Sequence, residues 1–190
     1  MIRGDSQQGF TLIELMVALA IAIIVIALST PLSNVFKQNR VTTLEHEFVT
    51  SLNLARSAAI STAAAVTVCR AAQNNPNICA PAPANNDVVR QWEHGWIVFN
   101  DPNTNGVIDA GEAVIQQHGA LQTGYSLREA LLDVITYNAS GLITPPSAGT
   151  WNLCDPTQSA LFQRAISLSV TGRVSLLTPA DIQDLNLACL

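Results

Sequence analysis

The apolar residues of this chain change their spacing twice, and each change marks an element. From Phe10 to Leu28 only Thr11 and Glu14 are polar, a run about long enough to cross a bilayer as a helix. Past Pro31 the apolar positions thin to Val41, Leu44, Phe48, Leu52, Ala55 and Ala59, separated by three or four residues. That spacing is one stripe of an amphipathic helix. A segment apolar all round that becomes one-sided predicts a single helix that leaves lipid and then packs on a domain. From Thr11 to about Ser61 it would extend ~75 Å at the helical rise per residue. Pro31 lacks a backbone donor and is expected to kink or loosen it.

After Ala65 the pattern becomes extended. Val66-Thr67-Val68-Cys69 predicts a strand, and the Pro-, Asn- and Ala-rich residues 71–87 predict loop. Further strands are expected at Gly95 to Phe99, Ala113 to Gln116, Asp133 to Tyr137, Leu142-Ile143, Ala165 to Val170 and Val174 to Leu177. Thr171-Gly172-Arg173 is a turn between the last two. Short strands with frequent turn signals predict an antiparallel sheet system. The fold class is therefore α+β. A long amino-terminal helix, membrane-spanning in its first half (10–32) and amphipathic in its second (33–62), packs on a β-rich globular domain (63–190).

Composition narrows the reading. A chain of 190 residues suits one membrane helix and one modest domain with its own core. The formal charge is −5 and stays so without residues 1–9, because Arg3 and Asp5 leave together. Lys37 is the sole lysine, and no bulk cationic character announces a nucleic-acid binder. The cysteines at 69, 79, 154 and 189 all follow the membrane segment, and an even count outside the cytoplasm points to disulfides. Of the three pairings, Cys69–Cys79 with Cys154–Cys189 closes the most local loops. Zinc is the alternative, without a close C-x-x-C pair or a histidine spaced to join one.

Glu14 is the residue that a simple anchor leaves unexplained. An aspartate at the centre of a membrane helix costs about 2.5–3.5 kcal/mol on insertion scales, so a glutamate four residues into such a segment calls for a compensating partner. A free amine at the same depth would compensate it, and a cut between Gly9 and Phe10 creates one. A secretory signal peptide starting at Arg3 and cleaved near Ala27-Leu28-Ser29 would not place a glutamate in its core.

Gly9-Phe10-Thr11-Leu12-Ile13-Glu14 ahead of an apolar helix resembles the signature of type IV pilins and type II secretion pseudopilins. The resemblance implies that residues 1–9 are a leader removed by a prepilin peptidase, which methylates the new amine of Phe10. It implies that Glu14 recruits the subunit into a filament, and that Pro31 belongs to a segment that melts on assembly. Internal blocks resemble the GspH/FimT branch: Phe48-x3-Leu52-x-Leu54-Ala55-Arg56-Ser57-x-Ala59-Ile60, Val66-x-Val68-Cys69, Trp92-x2-Gly95-Trp96-x-Val98-Phe99-x-Asp101 and Ser169-x-Thr171-Gly172-Arg173. The implied fold is a long helix against a β-sandwich-like domain. The implied partners are other pilins or pseudopilins met through the helix, the prepilin peptidase and an inner-membrane assembly platform. The implied location is the bacterial inner membrane, crossed once with a cytoplasmic amino terminus and a periplasmic domain, and then a pilus or pseudopilus. Arg3 on the leader side fits that orientation.

Three candidate chemistries remain. Asp101, Asn103, Asn105, the Val107 carbonyl, Asp109 and Glu112, with Gly106 at the sharp turn, satisfy the spacing of an EF-hand calcium loop. The flanks read as strands rather than helices, so a metal-free turn rich in Asn, Asp and Gly is the alternative. No cofactor is required by either reading, and Ca²⁺ is the candidate ligand. No catalytic residues are expected: His46, His94 and His118 are isolated in sequence, and there is no nucleophile elbow, phosphate loop or H-E-x-x-H. Some FimT-type proteins bind DNA near a Gly-Arg-x-Arg motif. Here Gly172-Arg173 is followed by Val174-Ser175, and the tail after Arg173 carries Asp181 and Asp184 without a basic residue. Arg173 is thus a weak phosphate contact, and DNA binding is not expected. Trp92, Trp96 and Trp151 are expected to pack in the sheet or between helix and sheet, rather than to bind carbohydrate on an exposed face. The functional expectation is a non-catalytic minor pilin or pseudopilin that primes or tips a filament, with a DNA-binding or adhesive tip module as the alternative.

Overall fold

The computed structural model describes residues 10–81, 89–185, 187 and 189, with the side chains of 27–33 outside the description. In chain order the elements are α1 (Leu12–Thr62), β1 (Val66–Ala72), β2 (Asn75–Cys79), β3 (Arg90–Gln91), β4 (Trp96–Asn100), β5 (Val114–His118), β6 (Ser126–Glu129), β7 (Val134–Tyr137), β8 (Gly149–Cys154), β9 (Arg164–Leu168), β10 (Val174–Leu176) and α2 (Pro179–Asp184). The chain divides into two compact units between Asn39 and Arg40.

In the first unit the helix starts behind Thr11, whose hydroxyl accepts from the Glu14 N–H at 3.3 Å. The backbone stays helical through Pro31. Among the described residues no helix is long and apolar enough to cross a membrane. The described side chains stop at Ile26, within the apolar run that the sequence continues to Leu28.

In the second unit the expected stripe is the core. Val41, Leu44, Phe48, Leu52, Ala55 and Ala59 are all buried. One antiparallel sheet has the order β2-β1-β4-β5, with β7 on β1; the other has the order β10-β9-β8-β6-β3. Both turn a face to the stripe: Val66, Val68, Trp96, Val98 and Ile135 from the first join Leu127, Trp151, Leu153, Ile166 and Leu168 from the second in one cluster. Period-two alternation explains the split. Cys69, Ala71, Ile97 and Phe99 point to the opposite face of the first sheet, where they form a small second core with Cys79, Ile108 and Val134.

Both expected disulfides are present, Cys69–Cys79 with Cα atoms 5.5 Å apart and Cys154–Cys189 at 5.9 Å. The first overturns one expectation. Residues 71–87 are not loop throughout, because Asn75–Cys79 forms β2, with Ala71 opposite Cys79. The disulfide holds that pairing in a segment whose proline and asparagines argue against a strand. Leu142-Ile143 is also not a full strand; Ile143 makes a single bridge to Tyr137.

Candidate functional site

The amino-terminal unit leaves its apolar side chains uncovered. Phe10, Leu12, Ile13, Leu15, Met16, Val17, Leu19, Ile21, Ile23 and Ile24 are exposed in the single chain. Glu14 stands in the first turn of α1 and, among the described residues, joins no ion pair. Gly9 lies outside the described residues, and Pro31 contributes only its helical backbone.

The globular unit, by contrast, is organised around a buried aromatic cluster. Phe48 sits among three tryptophans, with ring centroids 5.6 Å from Trp92, 5.0 Å from Trp96 and 5.3 Å from Trp151. All three indoles are fully buried, as expected for core residues. Trp96 Nε1 donates to Ser51 Oγ at 2.9 Å and Trp92 Nε1 to the Leu132 carbonyl at 3.1 Å. His118 stacks flat on Trp96 at 3.9 Å, with Nδ1 2.7 Å from the Gly119 carbonyl and Nε2 3.1 Å from Glu47 on α1. His46 lines the same groove as His118, whereas His94 faces Gln91.

The 101–112 loop is a hydrogen-bonded turn between β4 and β5. Asp101 is fully buried. Its Oδ2 accepts from Thr67 Oγ1 at 2.7 Å and the Gly106 N–H at 3.0 Å, and its Oδ1 from the Asn105 N–H at 3.1 Å. The Thr67 hydroxyl has one proton, given to Asp101, so Thr136 donates to it at 2.7 Å. Asn103 and Asn105 turn Nδ2 onto Asp109 Oδ2 at 2.9 and 2.8 Å. Their Oδ1 atoms accept from the N–H groups of Asn105 and Val107, and Glu112 Oε2 accepts from the Asp109 N–H. Gly106 has φ +72, and a Cβ there would stand 3.3 Å from Val134 Cγ1. Among the described residues no group of three or more His, Cys, Asp and Glu side chains is arranged to hold a metal ion.

The arginines are largely matched. Asp133 receives Arg70 at 2.6 Å and Arg90 at 3.1 Å, Arg128 lies 3.4 Å from Glu93, and Arg164 lies 4.0 Å from Glu45. Arg173 is exposed on the β9–β10 turn, whose Thr171 carbonyl accepts from Arg56 Nη2 at 3.3 Å. Burial raises the carboxyl pKa of Glu45 above its ordinary value, against the pull of Arg164. Burial likewise raises Glu129, although the amides of Leu131 and Leu132 donate to it. Sequence reasoning passed over Glu45, Glu129 and Asp133. For Glu45 the signal was available, since it lies beside Leu44 on the buried stripe.

An exposed apolar helix headed by a glutamate, carried by a domain of two antiparallel sheets, defines a pilin-like subunit. The chain belongs to the family of the type II transport protein GspH, whose profile matches residues 46–172, about two thirds of its length. The prokaryotic N-terminal methylation motif matches residues 5–30. Two solved structures share the fold. The type IV minor pilin FimU of Pseudomonas aeruginosa PAO1 is 22% identical, with 75% of this chain and 91% of that one covered and a TM-score of 0.54. The minor pseudopilin EpsH of the Vibrio cholerae type 2 secretion system is 15% identical, with 74% and 98% covered and a TM-score of 0.50. No curated protein matches the chain by sequence.

Proposed function

We propose that this chain is a non-catalytic filament subunit, cut between Gly9 and Phe10, that starts or tips a type IV pilus or a type II secretion pseudopilus. The observation that carries the reading is the contrast between the units. The globular unit buries Phe48 and its three tryptophans, whereas α1 leaves Phe10 84% and Leu12 79% exposed beside Glu14. Before assembly that surface sits in the inner membrane; afterwards it packs on the helices of neighbours. Glu14 neutralises the amine on Phe10 of the adjacent subunit, so that neither charge stays unpaired in apolar surroundings. Pro31 supplies the point at which the helix loosens as it changes environment. The FimU and EpsH likenesses are consistent with either filament.

The 101–112 loop serves as a turn without metal in this reading. Both oxygens of Asp101 and one oxygen each of Asn103, Asn105, Asp109 and Glu112 accept from the protein's own donors, and that arrangement supports it. DNA contact through Arg173 is not favoured, because no second arginine follows it.

The test is Glu14→Val in the native host. The variant is expected to insert in the membrane at the normal level but to be depleted from sheared filaments. Normal incorporation would contradict the charge-pairing account.

A further inference from the structure

We propose that β5, the β2 hairpin and the groove between β5 and α1 form one docking face for the globular domain of a neighbouring pilin-fold subunit. This rests on the filament reading above. Three observations converge on this face.

The first is charge. From Ala71 to Ala80 and from Ala113 to His118 there is no Asp, Glu, Lys or Arg. These segments are adjacent in space, since Gln117 Nε2 donates to the Pro76 carbonyl at 2.7 Å and to Asn77 Oδ1 at 3.1 Å. Ile78, Val114 and Ile115 are 48%, 48% and 37% exposed. The Cys69–Cys79 disulfide fixes the hairpin beneath Ile78, so this apolar strip is held in place before any partner arrives.

The second is an unpaired backbone. β5 pairs only with β4 among the described strands. The Asn100 N–H donates to the Ala113 carbonyl at 2.9 Å, while the Ala71 N–H takes the Gly95 carbonyl on the other side of β4. Alternation along β4 therefore aims Val98 and Trp96 at β5, where Gln116 and His118 answer them. The amide and carbonyl of Gln117 then face outward. The register shift between Val98 and Phe99 absorbs Ile115 as an extra residue, which breaks the edge too early for a long added strand. A side-by-side domain contact with a short backbone pairing fits this edge. The other edges among the described strands are short or blocked, β10 having only three residues directly after Arg173. The outer side of β7 takes Ile143 and the Thr144 N–H, β2 carries Pro76, and β3 has two residues including Arg90.

The third is continuity with the assembly helix. Thr43, His46, Glu47 and Thr50 on α1 line a groove of about 480 Å³ with Gln116 and His118, and His118 ties its two sides together. A neighbour laid along this part of α1 meets β5 next.

The experiment places a photo-crosslinking benzoylphenylalanine at Ile115 or Ile78 in the full-length protein in its own host. Controls carry it at Ile21 on α1 and at Leu161, which is 82% exposed in the β8–β9 connection. Crosslinked peptides are identified by mass spectrometry. The expected result is a product from 115 and 78, but not from 161, to the globular domain of a subunit with its own pilin-type amino terminus. Ile115→Lys should keep the melting temperature and lower filament incorporation several-fold. A product from 21 without one from 115 or 78 overturns the docking face and leaves the filament reading standing. So does an Ile115→Lys variant that assembles normally, or a product to a protein without the pilin signature. No product from any position, 21 included, overturns both.

Discussion

Replacing Phe48 with alanine tests how the second half of α1 is held. The ring is wholly buried and touches Trp92, Trp96 and Trp151 edge-on or tilted, so it joins the helix to β4 of one sheet and β8 of the other. A Phe→Ala change in a core costs about 3–5 kcal/mol, because transfer energy and cavity add. Each aromatic pair contributes roughly 0.5–1.5 kcal/mol beyond buried area. Three such pairs are lost together, so the expected cost lies at the top of the range, about 5 kcal/mol. At about 2–4 °C per kcal/mol for a domain of this size, the melting point should fall by ~10–20 °C. The assay is urea unfolding of the full chain in detergent, followed by tryptophan fluorescence, with Leu161→Ala as the exposed control. The control should change stability by less than about 0.5 kcal/mol. If Phe48→Ala costs under about 2 kcal/mol, the aromatic cluster is not what locks α1 to the sheets.

The Cys154–Cys189 bridge closes a 35-residue separation, and the chain-entropy model gives it about 4 kcal/mol. Cys154→Ser with Cys189→Ser should show that loss in the same assay, and a loss below about 1 kcal/mol would contradict it. Millimolar Ca²⁺ or a chelator should leave the melting temperature of the full chain unchanged; a rise with Ca²⁺ would make 101–112 a metal loop. Glu45 sets a pH dependence. Burial raises its folded-state pKa above the ordinary 4.5, so the native state binds the proton more tightly than the unfolded state does. Stability should therefore fall as pH rises from about 4.5 through the folded-state value. Glu129 acts with the same sign. Glu45→Gln should make that decline shallower; an unchanged slope between pH 4.5 and 7 would refute the assignment.

The helix was legible because its signals are local and redundant. All six stripe residues from Val41 to Ala59 are buried, and strands with β-branched runs, such as Val66-Thr67-Val68 and Trp96 to Phe99, lie where alternation put them. The second sheet was only half legible. Its central strand β8 reads Gly-Thr-Trp-Asn-Leu-Cys, with few β-branched residues and prolines just upstream, so tertiary pairing with β6 and β9 decides it. β2 depends on a covalent bond ten residues apart in sequence. α2 was missed although Thr178-Pro179-Ala180-Asp181 is a capping box with proline at the first turn; that signal was present and not used. At the site, Glu14 and the 101–112 spacing were plain in sequence. The engagement of the loop's oxygens was not: Thr67 reaches Asp101 across 34 residues, and spacing alone does not say whether the oxygens turn to the loop's own amides or to a metal.

Processing and assembly are read together by mass spectrometry of the amino-terminal peptide of this protein, recovered from sheared or purified filaments. The account predicts a chain that begins at Phe10 and carries one methyl group on its amine. A chain that keeps residues 1–9, or one absent from the filament fraction while abundant in the membrane, would contradict it.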